Sequence, residues 1–497
     1  MSDLFLRKKP IVFILILAII LRVIAISQSL WLDEAIGAIA AKDYSYFTII
    51  SEFIKADNHP PFYYLVLKFW TSIFGYSEFS LRTPSLLFGT GTVFLTYLIV
   101  KSLIWRSQKG VLSSVPNISA LLIALSQFHI YYSQEARMYS MAGFFVSLAF
   151  YSYILLLKNE KTKIIYWATF SFAILCLVFT DYAPIFLLPV FWIITLVKRK
   201  SGRFWKVFLL AHIPLLLFGI LWLPTFFIQV DRGGWLLKTW PAWREVAGGA
   251  TLKQAALVFV KFVFGRISLY NKMLYYLLVI FVSIPVSLAL INSWKKREES
   301  VIWIWMWLII PLVIGFLLSF SFPAFIYFRF VFVLPAFSIL IAWGACSYKN
   351  VRLRLLIVST IVISNIVSWV LYITDPVQQR EQWNIATRFV EENAKPNEIV
   401  LFEFPEPFAP YRWYSKGSVE AKGATNSISA DPDLSKEITF NLVKNKTGVF
   451  YFNYLRELSD REDTVRKTLI DTGFVKKDVY NFQGVGLVEY YTKEQQL

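Results

Sequence analysis

Eleven stretches of mostly apolar residues recur along the first three-quarters of the chain, at about 10–28, 81–100, 113–131, 138–157, 164–180, 183–197, 207–228, 273–293, 301–320, 327–347 and 355–373. Most approach the ~20 residues that carry an α-helix across ~30 Å of hydrocarbon. Inside a bilayer only helices and closed barrels satisfy their own backbone, and runs of this length suit helices. With 57% hydrophobic, 18% aromatic and only 17% charged residues among 497, the chain is expected to be an α-helical polytopic membrane protein. That excludes disorder, collagen and disulfide scaffolds. Cys176 and Cys346 both lie within apolar runs, so neither looks like half of a disulfide and no Cys-rich metal site exists.

A net charge of +17 raises the question of nucleic acid, and the placement of the charge answers it. Six short clusters between apolar runs, at 1–9, 101–110, 158–163, 198–206, 294–300 and 348–354, hold 20 Lys/Arg against 4 Asp/Glu. Basic clusters on alternate loops are the signature of cytoplasmic loops in a multi-pass protein, so no nucleic acid is expected. Eleven crossings then leave the N-terminus inside and the C-terminus outside. The first run follows a basic stretch, as in a signal peptide. SQSLWLDEA after Ile26 offers no cleavage site of the A-x-A kind, so the run is expected to remain as a span.

Segment 59–74 (HPPFYYLVLKFWTSIF) is apolar enough to count as a twelfth span, but its pattern is two-sided. Phe62, Leu65, Val66, Phe69, Trp70 and Ile73 fall on one helical face, with Tyr64, Lys68, Thr71 and Ser72 on the other. An interfacial helix fits better. Segment 43–56 carries a similar stripe, with Asp43 as a candidate N-cap, so the first outer loop, about 29–80, is expected to hold two surface helices. The outer loop 229–272 holds Trp235, Trp240 and Trp243 between the glycine pairs Gly233-Gly234 and Gly248-Gly249. These suggest hinges around a lid, or a loop resting on the membrane.

Composition shifts near Asp375: residues 375–497 hold 16 Lys/Arg and 19 Asp/Glu in soluble patterning. Helices are expected near 381–393, 433–444 and 457–471, and strands near 398–404, 447–454 and 474–491, the last broken at Gly484. The expected organisation is a transmembrane catalytic domain, 1–374, followed by a small α/β domain, 375–497, outside the membrane.

Four outer-face motifs carry residues suited to chemistry. Asp33 and Glu34 follow the first span directly. A carboxylate at a low-dielectric boundary gains basicity and can act as a general base, while one of the pair can equally cap the next helix. His59, in Asn58-His59-Pro60-Pro61, can hold a phosphate or hydroxyl or pack at a helix start. Glu135, Arg137 and Tyr139 lie at the turn between the third and fourth spans, beside Tyr131 and Tyr132. Charges at that depth are usually functional, the alternative being a Glu-Arg contact that fixes the turn. Tyr327 and Arg329 lie in YFRF before the tenth span, where a guanidinium suits a lipid phosphate or snorkels to ordinary phospholipid.

In this order, DE, HPPFYY, RTPSLL, YYSQEARMY and YFRF resemble the GT-C superfamily of membrane glycosyltransferases. Within it, the likeness is to bacterial proteins related to protein O-mannosyltransferases (glycosyltransferase family 39-like) and to the aminoarabinose transferase of lipid A. It covers about 1–373 and implies the GT-C fold, a polyprenyl-phosphate-linked sugar as donor, and a place in the bacterial plasma membrane. It also implies that Asp33 is the general base, with Glu34 beside it, and that Glu135 and Arg137 bind substrate. His59, Tyr139, Tyr327 and Arg329 complete the expected substrate-binding set. Where the aminoarabinose transferase has a Glu-Lys pair this chain has Asn58-His59, so its metal ligand and phosphate-binding lysine do not carry over, and the motif does not support a divalent metal cofactor.

The chemistry fits these residues on its own terms. A sugar joined through C1 to a lipid phosphate carries a stabilised leaving group, so a base for the acceptor hydroxyl and cations for the phosphate suffice. No Walker A or dinucleotide fingerprint is present, in keeping with a lipid donor. In-line displacement would invert the anomeric centre, and the acceptor is a hydroxyl on a lipid, glycan or protein. Two other classes compete. A flippase or transporter of a lipid-linked saccharide calls for mid-span ionisable residues, of which Arg22 is the clearest, and a glycan receptor has no use for eleven spans.

Overall fold

The computed structural model describes residues 9–104, 111–158, 163–241 and 243–493. The basic clusters at 1–9, 101–110 and 158–163 therefore lie largely outside the described residues. Among those described, seven helices are long and apolar enough to cross a membrane: Glu78–Leu103, Tyr139–Lys158, Gly202–Thr239, Lys272–Lys295, Glu299–Leu318, Tyr327–Cys346 and Val351–Thr374. The other four expected spans fall on shorter apolar helices, Pro10–Val23, Leu112–Leu125, Ile164–Thr180 and Ala183–Val197. Length alone thus supports seven of the eleven crossings. The chain divides into two compact units, Met1–Ile26 with Tyr44–Arg232 and Ala247–Gln378, and Ser27–Asp43 with Gly233–Val246 and Gln379–Leu497.

In the first unit, the apolar window of Tyr327–Cys346 is 89% buried and that of Gly202–Thr239 only 22%. The first is a central helix; the second turns Leu216, Leu217, Leu221 and Phe227 outward, as a lipid-facing helix does. The third expected span is interrupted. Val115–Leu125 ends at Ser126, whose hydroxyl caps Gln127–Ser133 by accepting from the His129 N–H. Such a break frees carbonyls that hydrocarbon cannot pair. The buried Arg22 supplies donors, reaching Ala124 O at 3.1 Å, Ile123 O at 3.4 Å and Ser133 Oγ at 3.2 Å, with His129 Nδ1 at 2.7 Å. Gln134 Nε2 in turn donates to Arg22 O at 2.9 Å and to Ile24 O, where the first helix ends. The clearest mid-span charge therefore holds two helix ends together.

The first outer loop is helical in three places rather than the expected two: Leu32–Asp43, then 46–56 with a π-turn over Ile49–Phe53, and Phe62–Phe74. Ser45, not Asp43, is the cap, because Asp43 ends the preceding helix Leu32–Asp43. In Phe62–Phe74 the polar side is the inward one: Tyr63, Tyr64, Leu67 and Thr71 are buried, while Phe69, Ile73 and Phe74 point out. Segment 229–272 differs from the expected loop. Gly202–Thr239 runs helically through Gly233-Gly234, so that pair is no hinge; a helix of 38 residues absorbs the ~1 kcal/mol each glycine costs. Gly248 does take a positive φ of 91°, and the turn is pinned where Gly249 N donates to Phe325 O at 3.1 Å.

The second unit is built on a five-stranded sheet of order β2-β1-β3-β5-β4, from β1 (Glu398–Phe402), β2 (Glu420–Gly423), β3 (Gly448–Phe452), β4 (Phe474–Phe482) and β5 (Gly486–Lys493). β1 pairs in parallel with β2 and β3, and β5 runs antiparallel to β3 and β4. Cores lie on both faces, one around Trp383, Phe402, Phe408, Tyr411 and Phe452, the other around Leu401, Val443, Tyr451 and Leu469. This is why β1 and β3 are buried throughout rather than alternating. The helix expected over 457–471 is two pieces, Arg456–Ser459 and Thr464–Asp471, parted where Asp463 takes a left-handed φ of 57°. β2 and the helix Ala409–Tyr414 had no expectation, being four and six residues long.

Candidate active site

The turn after Gln127–Ser133 is fixed from several sides in the first unit. Arg137 N donates to Glu135 O at 2.7 Å, Ser85 Oγ donates to Arg137 O at 3.2 Å, and Tyr63 OH lies 3.2 Å from Ser85 Oγ. Arg137 points its guanidinium into the first outer loop, donating to Tyr64 OH at 2.7 Å, with His59 Nδ1 at 3.3 Å and Asp57 Oδ2 at 4.0 Å. His59 Nδ1 is 2.7 Å from Asp57 Oδ1, and Tyr64 OH donates to the other carboxylate oxygen. A carboxylate only accepts, so the 2.7 Å contact calls for a proton on Nδ1, and Arg137 at 3.3 Å is then a charged neighbour of that nitrogen rather than a donor to it. Burial works against the Asp57 charge, yet His59, Arg137 and the Tyr64 hydroxyl hold its carboxyl well below the usual carboxylate range. Gln229 Nε2 reaches the carbonyls of Ile54, Asp57 and His59 at 2.6, 2.8 and 3.0 Å, and Tyr182 OH donates to Gln229 Oε1.

A second cationic cluster faces the same turn. Helix Leu252–Phe264 ends at Gly265, where a φ of +79° lets the chain pass Gln127; a Cβ there would lie 2.2 Å from Gln127 Oε1. That oxygen accepts from Arg266 N at 2.6 Å. The Arg266 guanidinium then lies 4.3 Å from the Tyr131 ring centroid and donates to the Tyr131 hydroxyl. Tyr131, Tyr132, Tyr327 and Glu135 all act electrostatically on Arg266, and the Lys261 ammonium sits over the Tyr327 ring at 5.9 Å. Tyr139 packs edge-on against Tyr132 at 5.1 Å and Phe328 at 5.6 Å.

The expected residues thus form two groups: His59 with Arg137, and Glu135 and Tyr327 acting on Arg266, with Tyr139 packed on the neighbouring Tyr132. Arg329 is half-buried, and its guanidinium has no hydrogen-bond or ion-pair partner among the described residues. Asp33 and Glu34 belong to the other unit, in the first turn of Leu32–Asp43, where the helix dipole favours carboxylates. Glu34 is fully buried and Asp33 half-buried, within electrostatic reach of Tyr454. Asp57, Tyr64, Gln229, Lys261 and Arg266 were not foreseen as site residues. Asp57 could have been found, lying two residues before His59; Lys261 and Arg266 sit in a stretch with no motif.

The described residues hold no group of three or more His, Cys, Asp or Glu placed for a metal ion. Asp57 and His59 already satisfy each other, and Tyr64 occupies the second carboxylate oxygen. The Asp57 and His59 donors, so engaged, do not fit a metal.

Residues 58–226 match the family described as dolichyl-phosphate-mannose-protein mannosyltransferase. Over nearly the whole chain the structure superposes on ArnT from Cupriavidus metallidurans, with a TM-score of 0.57 at 11% identity, covering 99% of this chain and 98% of that one. The fold is that of the GT-C membrane glycosyltransferases. The same ArnT bound to undecaprenyl phosphate gives 0.58 at 11% identity, over 97% and 98%. The GT-C likeness extends to the Archaeoglobus fulgidus oligosaccharyltransferase in complex with Zn and sulfate, at 0.51 and 12% identity, covering 97% of this chain and 73% of that one. A comparison with curated proteins by sequence finds no match.

Proposed function

We propose that this protein is an inverting glycosyltransferase that moves a sugar from a polyprenyl-phosphate donor to an acceptor hydroxyl on the outer face of the membrane. The observation that carries the reading is the pair of cation and tyrosine clusters, Arg137–His59 and Arg266–Lys261, on either side of the turn 133–139, in a fold shared with a protein solved with undecaprenyl phosphate. Asp33 takes the acceptor proton as the hydroxyl oxygen attacks C1, and the bond from C1 to the phosphate oxygen breaks with its electron pair on the phosphate. The leaving polyprenyl phosphate gains charge in the transition state. Guanidinium and ammonium groups already fixed by tyrosines and carbonyls stabilise it without reorganising. Glu34 supports Asp33, and Glu135, Tyr139, Tyr327 and Arg329 shape the donor pocket. In this reading the catalytic part is 1–374 and the part outside is 375–497; eleven spans put the termini on opposite sides, and the basic loops assign the N-terminus to the cytoplasm of a bacterial cell. The flippase reading loses its best support, because Arg22 is occupied by helix-end carbonyls.

Mass spectrometry of lipids that co-purify with the protein tests the donor class: a polyprenyl phosphate or its glycosylated form is expected, and only ordinary phospholipid would count against it. Asp33→Asn should keep expression and donor binding while slowing transfer at least ~10²-fold, since the amide takes no proton at neutral pH. Arg329→Ala should weaken donor binding instead. Wild-type transfer by Asp33→Asn would move the base to Glu34 or Glu135.

A further inference from the structure

After Lys9–Val23 the chain turns and then runs without secondary structure through residues 28–31 before Leu32–Asp43 begins. A buried stretch of that kind must find partners for its backbone elsewhere. Three successive residues bond to the C-terminal part of their own unit, two through their side chains and one through its backbone N–H. Gln28 Oε1 accepts from Arg380 N at 3.0 Å, Ser29 Oγ accepts from Asn384 N at 3.1 Å, and Leu30 N donates to Tyr414 OH at 2.8 Å. Leu30 is fully buried, and Leu32 packs into the aromatic core of Trp383, Phe408, Tyr411 and Phe452. The helix that follows lies against Ala409–Tyr414, and at its far end the Lys42 ammonium sits 5.4 Å over the Trp413 ring. Apart from Glu34, its buried residues are Ala35, Gly37, Ala38, Ala40 and Ala41, small enough for the two helices to approach closely.

We propose that the C-terminal α/β domain sets the position of the Asp33 carboxylate, and that Tyr414 is the positioning residue through which it does so. This rests on Asp33 acting as the base. The Leu30 N–H lies two residues before the start of the helix and three before Asp33, so a hydroxyl that fixes one fixes the approach of the other. Losing it leaves a buried N–H unpaired and lets residues 28–34 shift. Proton transfer depends on sub-ångström placement, whereas phosphate binding draws on residues of the other unit.

In the full-length protein, Tyr414→Phe should speed hydrogen exchange of the Leu30 amide by at least ~10-fold and lower kcat by about the same factor, with donor KM within about twofold of wild type. Ser29→Ala, which removes a different stitch in the same segment, should move both quantities in the same direction by less. Faster exchange with an unchanged kcat would overturn the proposal. So would a rise in donor KM equal to the fall in kcat, which is what a general loss of structure produces. Asp33→Asn in the same assay separates the two ideas. If it is inactive while Tyr414→Phe turns over normally, the positioning role alone fails; if it transfers at the wild-type rate, the base assignment and the positioning role fall together.

Discussion

Lys261 is half-buried beside two other cations, and burial first, then the charges of Arg266 and Lys272, bring its ammonium down to about 8. An anion bound there reverses that balance, so phosphate binding and protonation are linked. Only the charged form attracts phosphate, so affinity should be full below about pH 8 and decline as pH rises through it. Titration with polyprenyl phosphate, above the phosphate's own second ionisation at ~6, should show an apparent Kd that weakens several-fold between about pH 7 and pH 9, and Lys261→Arg should flatten that limb, because a guanidinium stays charged throughout. A slope unchanged by Lys261→Arg would remove Lys261 from the donor site. The stability signs of the two clusters are opposite. Lys261 has a folded value below its ordinary one, so the cost of its charge is fully present below about 8 and fades as pH rises toward the ordinary lysine range. Asp57 is held low, so its contribution is present above the ordinary carboxylate range and is lost as pH falls through its own titration.

One helix end decides where Arg266 stands. Leu252–Phe264 must stop at Gly265 with a left-handed turn for Arg266 to reach Tyr131, and Gln127 fills the space where a side chain would be. Gly265→Ala both strains that backbone and drives a methyl into Gln127. The expected outcome is a folded protein whose affinity for polyprenyl phosphate falls about tenfold, read by binding titration against wild type. Unchanged affinity would show that Arg266 does not depend on this turn. The helix Phe62–Phe74 makes a second point at this scale. Its apolar stripe was legible, but in a soluble protein that stripe would face the core, and here Tyr63 and Tyr64 do. The outward Phe69, Ile73 and Phe74 suit a lipid surface, and the inward Tyr64 is what joins this helix to Arg137.

For the whole molecule, the basic clusters and the C-terminal charge balance predict orientation. Single cysteines at positions 201 and 298 should react with a membrane-impermeant reagent only from the inside, and those at 57, 232 and 420 only from the outside; the corresponding positions 108 and 160 lie outside the described residues. Labelling of 57 from the inside would invert the first outer loop and place Arg137 and His59 on the wrong face for an external acceptor.

Local pattern determined much of this in advance. Apolar runs of helical length, the loop charges and the short apolar strands around 400 and 450 each express burial along a single stretch of chain, and periodicity reads burial directly. The motifs carrying His59 and Arg137 were likewise visible, but not that their side chains meet, since 78 residues separate them. The break at Ser126 depended on a guanidinium from another helix, about a hundred residues away, and the short edge strand β2 on pairing with β1. Lys261 and Arg266 gained significance only when Tyr131 and Tyr327 packed beside them. The bond between Leu30 and Tyr414 spans 384 residues, so the place of the Asp33 helix with the C-terminal sheet was beyond any local signal. Composition and spacing encode which residues leave water; which of them then touch is set by the packing of distant segments, a property of the folded chain alone.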